Sequence, residues 1–219
     1  NVTILYSHHH LDHVQGFPFF VPVYSPKNPL NVYCGAPPNT TESVLNSQMT
    51  YPSFPVGLDS LPANITFHNF EPGDRLEFGD VQVDTCALNH PGGAVAYRIN
   101  HRGRSFVQAS DTEHEGDTPD SRLVALCRDA DYLSYDSTYV NGEEYELYRG
   151  WGHSTWYHGM EVAKAAGTGT FVVFHHDPSH NDDFMDGLAK DVEAARAGSL
   201  VAREGMTFDM LAGTVSSGS

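Results

Sequence analysis

Basic residues are scarce in this chain. Lysine occurs only at Lys27, Lys164 and Lys190, and 12 Lys and Arg stand against 28 Asp and Glu, a formal charge of −16. Such a surface repels a nucleic-acid backbone unless its few cations gather on one face. Cysteine is scarce too: Cys34, Cys86 and Cys127 are odd in number and widely spaced. That excludes a disulfide framework and a zinc knuckle, and they read as reduced, structural thiols. No apolar run is long enough to span a membrane and nothing reads as a secretory signal, so a cytoplasmic location without membrane partners is expected. Internal repeats, heptads and a glycine loop for phosphate are also missing.

Histidine, by contrast, is concentrated. Ser7-His8-His9-His10-Leu11-Asp12-His13 packs good metal ligands into consecutive positions, directly after the strand-like run Val2 to Tyr6. His8, His10 and Asp12 lie two residues apart, a spacing that in extended chain points side chains to one side. Neutral imidazoles and a carboxylate suit a borderline divalent ion such as zinc, and a set this crowded can serve two ions. A histidine-rich surface turn is the competing reading, and the placement of Asp12-His13 right after the strand argues against an expression tag.

Further candidates follow along the chain. His90 sits in Asn89-His90-Pro91-Gly92-Gly93, between the strand-like runs Val81 to Leu88 and Ala94 to Ile99. Asp111 ends the apolar run Phe106 to Ala109. Alone, a His or Asp at a strand end is also what a capped turn shows. His153, in Gly152-His153-Ser154-Thr155, stands at the entrance of an alanine-rich helix with a Ser/Thr N-cap and a glycine stop at Gly167. Thr170 to Phe174 reads as a strand delivering His175 and His176, of which only one can face a given side. His180 and Asn181-Asp182-Asp183 read as a solvated helix start.

Taken together, these motifs resemble the metallo-β-lactamase fold, and Val14-Gln15-Gly16-Phe17-Pro18-Phe19-Phe20 resembles its branch of RNase Z and cyclic phosphodiesterases. The resemblance implies an α/β (α+β) chain arranged as a four-layer αββα sandwich. It also implies two divalent ions, zinc by donor type, with manganese or iron accepted by the same donors. His8, His10 and His90 would hold one, Asp12, His13 and His175 the other, and Asp111 would bridge them. His175 is selected over its rival His176 by the offset of Pro178. His153 resembles the family's proton donor to the leaving group. Asp136, in Ser134-Tyr135-Asp136-Ser137-Thr138, stands where the family has a glutamate and would orient it.

The expected domain covers 1–212, with 213–219 as a flexible tail. A helix is expected around 41–49, within a loop-rich segment from Pro22 to Pro62 that would overhang the site. Phe17, Phe19, Phe20, Tyr24, Tyr51 and Phe54 are candidate pocket walls, although aromatic packing in the core explains most such residues. Strands are expected near 65–68, 75–78, 81–88, 94–99, 105–109 and 200–202, and helices near 120–128, 154–166 and 182–197. Family members carry strands ahead of the first histidine motif, so the first sheet is expected to lack strands and to expose an edge at Val2 to Tyr6, a surface for a homodimer.

The function implied is a binuclear metal-dependent hydrolase, a phosphodiesterase acting on small or cyclic phosphodiesters with water activated between the ions. The 20 residues between His90 and Asp111 are too few for the arm with which RNase Z relatives grip transfer RNA, and the acidic charge also counts against that partner. Hydrolysis of another small ester or amide (a lactone, thioester or β-lactam) and a non-catalytic metal-binding or sensory module remain alternatives.

Overall fold

A computed structural model describes residues 1–140 and 142–216. The chain forms two compact units, residues 1–72 and 73–219. Each has its own apolar core.

In the first unit, β1 (Val2–Tyr6), α1 (Leu11–Val14), β2 (Leu30–Cys34), α2 (Thr40–Gln48) and β3 (Ile65–Asn69) follow one another. The strands form a parallel sheet in the order β1-β2-β3, with Ile4 opposite Val32 and Val32 opposite Phe67. Leu30, Val32 and Cys34 are buried with Leu45 and Met49 of α2 and with Val14, Phe17 and Val23. Strand β2 lies inside the segment read as loop and helix. Its alternation of Leu30, Val32 and Cys34 is short and flanked by Pro and Asn, which masks a period of two. The edge expected at Val2 to Tyr6 is present, since β1 pairs only with β2 among the described strands.

The second unit begins with β4 (Arg75–Phe78), β5 (Val81–Leu88), β6 (Ala94–His101) and β7 (Arg104–Ala109), and continues through α3 (Ser121–Cys127), β8 (Tyr132–Asp136), α4 (Gly142–Leu147) and α5 (Trp156–Ala166). It closes with β9 (Thr170–Phe174), α6 (Asp182–Ala195), β10 (Leu200–Val201), β11 (Thr207–Asp209) and β12 (Thr214–Ser216). Seven strands form one mixed sheet, β10-β9-β8-β7-β6-β5-β4, antiparallel from β4 to β7 and parallel from β7 to β10. Alternate residues of its strands, among them Cys86, Ala96, Val107, Leu133, Tyr135, Phe171 and Val173, pack against Leu123 of α3, Val162 of α5 and Leu188 and Val192 of α6. Three helices therefore cover one face of the sheet. Helix α5 approaches so closely that a Cβ at Gly159 would lie 2.6 Å from the Tyr135 ring and 2.7 Å from that of Phe171.

Thr214–Ser216 pairs with β11, so this part of the expected tail is strand, and residues 217–219 lie outside the described residues. All three cysteines are free and buried, and burial pushes the thiol of Cys34 up to about 11 and that of Cys127 to about 12. No helix among the described residues is long and apolar enough to cross a membrane.

Candidate functional site

In the first unit the histidine motif is extended only through His10, where ψ is 152°, and then winds into α1. Asp12 thus leaves the two-residue alternation and lies on a helical turn beside His13, its Oδ2 3.3 Å from the imidazole Nε2. The His8 ring lies 4.4 Å from that of His10 and 4.3 Å from that of His13. Ser7 Oγ lies within 3.1 Å of His8 Nδ1 and 3.4 Å of His13 Nδ1, leaving the Nε2 atoms to point elsewhere. His9 turns to α2, its Nε2 2.9 Å from Thr41 Oγ1, and burial lowers its pKa.

In the second unit the candidates are set by the sheet. Strands β5, β7, β8 and β9 run in the same direction, and just beyond or at their carboxyl ends stand His90, Asp111, Asp136 and His175. This end of an α/β sheet is where ligands are usually bound. The ligand atoms of His90, Asp111 and His153 lie within 4.8 Å of one another, as do those of Asp136, His153 and His175. Asp111 and His175 have φ of 60° and 59°, a left-handed conformation that costs a non-glycine residue about 1 kcal/mol or more and is found at functional sites.

Asp136 is fully buried and is the hub of this end of the sheet. Its Oδ2 accepts the backbone N–H of Asp111 (2.9 Å) and of Thr112 (3.3 Å) and Nδ1–H of His153 (2.8 Å). Its Oδ1 accepts the N–H and the hydroxyl of Thr138 (both 3.1 Å) and the N–H of Ser154 (3.1 Å). A carboxylate with this many donors is stable as an anion without solvent. It can support a positive charge on His153, the group it holds by Nδ1.

His90 and His175 are each pinned at Nδ1. A carbonyl can only accept, so the 2.8 Å bond between His90 Nδ1 and Gly152 O puts the proton on Nδ1. Thr138 Oγ1 meets His175 Nδ1 at 2.9 Å and so occupies that ring nitrogen. Both rings therefore present Nε2, and that of His175 lies 3.3 Å from Asp111 Oδ1. Imidazoles fixed at one nitrogen with the other left as donor, next to a buried carboxylate, fit a divalent metal. His176 faces away: its Nε2–H donates to the carbonyl of Ala202. His180 stacks on Phe184 and lies 3.7 Å from Glu144, while Asn181 caps α6.

Several residues here were given no role by the sequence. Ser154 is buried, donates to Thr112 O at 2.6 Å and accepts from the N–H of His114 and from the Tyr135 hydroxyl. Glu113 accepts from Gly150 N and Gly152 N, both 2.8 Å away. Both glycines have positive φ, and a Cβ at Gly152 would lie 2.2 Å from His90 Nδ1. The available signals were the paired glycines before His153 and the polar run after Asp111. Of the aromatic candidates, Phe17 is core, Phe19 and Tyr51 are exposed, and Tyr51 and Phe54 line a cleft of about 970 Å³ in the first unit.

This end of the sheet defines a class, that of proteins which carry metal-ligating histidines and carboxylates on strand-end loops. The model of the beta-lactamase superfamily domain matches residues 2–176, and the chain belongs to that family. It is 28% identical over 109 residues to a ribonuclease Z of Halalkalibacterium halodurans, which is 50% of this chain and 33% of that protein. The chain thus spans about a third of the length of this curated relative. The metallo-β-lactamase fold protein YhfI from Bacillus subtilis has a TM-score of 0.70 at 18% identity, covering 98% of this chain and 77% of that one. The short form of human tRNase Z has 0.69 at 17%, covering 99% and 78%. The fold is that of the metallo-β-lactamases.

Proposed function

We propose that the chain is a metal-dependent phosphodiesterase that cleaves small or cyclic phosphodiesters. One observation carries this reading: His153 is held by Nδ1 at 2.8 Å from the fully buried carboxylate of Asp136, within reach of the donors His90, Asp111 and His175. An imidazole oriented in this way keeps Nε2 aimed outward to hold a proton and release it to a departing alkoxide. Asp136 keeps its charge next to the ring and prevents rotation. The same carboxylate binds the N–H groups of Asp111 and Thr112, so the proton donor and a candidate ligand share one anchor.

By resemblance to the family, His8, His10 and His90 would hold one ion, Asp12, His13 and His175 a second, and Asp111 would serve both. Bound divalent ions, zinc by donor type, would polarise a phosphoryl oxygen and lower the pKa of water to about 7. A small substrate is favoured by the tight β6–β7 hairpin, which turns at Arg102-Gly103 and leaves no long arm between His90 and Asp111.

The test is hydrolysis of bis(p-nitrophenyl) phosphate by the metal-loaded chain, beside metal analysis. Turnover that falls with His153→Ala while the metal content stays is expected. Turnover on carboxylic esters alone overturns the phosphodiester reading, and two bound ions without any turnover overturn the enzyme reading.

A further inference from the structure

We propose that Glu113 is a positioning residue for His90, acting through the backbone of the Gly150–Gly152 loop. The inference rests on the reading of His90 as a metal ligand, and it adds the group that sets which nitrogen of that ring is left for the metal.

Glu113 holds both the loop that accepts from the His90 ring and the residue before His90. Its carboxylate accepts the N–H of Gly150, at 2.8 and 2.9 Å to the two oxygens, and the N–H of Gly152 at 2.8 Å. The carbonyl of Gly152 in turn takes Nδ1–H of His90 at 2.8 Å. On the other side, the N–H of Glu113 donates to Asn89 O at 2.7 Å, and Asn89 Nδ2 donates back to Glu113 O at 3.1 Å. One residue therefore ties the chain just before His90 to the loop that carries the acceptor for its ring.

An outside acceptor is needed because the loop has little preference of its own. Gly150 and Gly152 have φ of 91° and 89°, and glycine holds such angles only weakly without outside contacts. Two N–H groups converging on one anionic, acceptor-only group form a charge-assisted clamp. The fit of the loop to the ring is close, since a Cβ at Gly152 would lie 2.2 Å from His90 Nδ1 and 2.3 Å from Pro91 Cδ. A small shift of this loop would remove the carbonyl from Nδ1 and free the ring to move its proton to Nε2, the atom required as metal donor.

The experiment uses the whole chain, first without metal and then titrated with zinc. Long-range ¹H–¹⁵N spectra of the histidine rings at alkaline pH report the His90 tautomer directly. The expected result is an Nδ1–H ring in the parent chain and a mixture of tautomers in Glu113→Ala, with zinc affinity lowered about 10- to 100-fold. Glu113→Gln, which keeps one acceptor oxygen, is expected to restore most of both. A folded Glu113→Ala chain with the His90 tautomer and zinc affinity unchanged overturns the proposal, even if its Tm falls, because a merely structural clamp would lower Tm alone. Should the alanine variant not fold, Glu113→Leu, which keeps the side-chain volume but offers no acceptor, is read by the same two signals, and an unchanged tautomer and affinity there also overturn it. If the parent chain binds no zinc, the metal reading fails, while the tautomer of the metal-free chain still decides the role of Glu113.

Discussion

Two histidines five residues apart, at the entrance of α5, are held in opposite ways. His153 is bound at Nδ1 by the anionic Asp136. His158 is the N3 residue of a capping box: its N–H donates to Thr155 Oγ1, and its Nδ1 accepts the N–H of Thr155 at 3.3 Å. The ring stacks on that of His114, with centroids 4.3 Å apart and planes 2° from parallel. Burial, His114 and Arg149 push its pKa down to about 4. The same side chain thus serves as a ring supported for positive charge in one place and as a neutral capping group in the other. The difference lies in the partner: a buried carboxylate rewards a proton, whereas a hydroxyl, a desolvated surface and a second imidazole do not.

The largest effect is expected at Asp136. Asp136→Ala strands several buried N–H groups as well as His153, so unfolding in denaturant should show a loss of about 3–5 kcal/mol. Asp136→Asn keeps the shape but removes the charge, and turnover of the metal-loaded chain should fall about 10²- to 10⁴-fold with a smaller change in stability. Equal turnover in Asp136→Asn would show that His153 does not depend on an anionic partner.

A methyl group at Gly152, next to His153, should have the second largest effect. The position has φ of 89° and no room beside His90, so Gly152→Ala should lose about 1–3 kcal/mol of stability and weaken zinc binding. Gly159→Ala on α5 is the matched control: a comparable loss of about 1–3 kcal/mol through clashes with Tyr135 and Phe171, with zinc affinity kept.

His158 predicts a pH dependence whose sign is fixed by its lowered pKa. Between the ordinary histidine value of 6.5 and about 4 the unfolded chain binds the proton and the folded chain does not. Its contribution to stability is therefore complete above the upper value and is lost as pH falls through this window. His158→Gln, a residue natural to this capping position, should flatten the stability profile between these limits while leaving neutral-pH stability within about 1 kcal/mol. An unchanged acid slope would place the titrating group elsewhere.

The smallest effect is expected at His176. His176→Ala removes one ring bond to the Ala202 carbonyl and should lose about 1 kcal/mol with metal content unchanged. His175→Ala should lower metal content under the same conditions. A reversed result would exchange the roles of the two neighbours.

Much of this was legible beforehand because the signals are local. The histidine motif is contiguous, the strand ends at His90 and Asp111 show as apolar runs meeting polar turns, and Thr155 announces α5. The carboxylate at Asp136 was legible only through its resemblance to a family motif, since nothing nearby in sequence marks it as buried. Strand β2 was hidden by the Pro- and Asn-rich residues around it, and Asp12 was read as extended where a helical turn begins at Leu11. The roles of Glu113, Thr138 and Ser154 could not be read from their neighbours, for each takes its partners mainly from distant positions.

Periodicity and turn residues, then, determined the strand and helix candidates, and the histidine and aspartate motifs carried the resemblance to the family, because both depend on spacing along the chain. Which oxygen of Asp136 meets which donor, which nitrogen of His90 carries its proton and why His175 turns toward Asp111 while His176 turns away were decided only by the sheet. Hydrogen bonds act over about 3 Å, and residues remote in sequence come within that range only after parallel strands are set side by side.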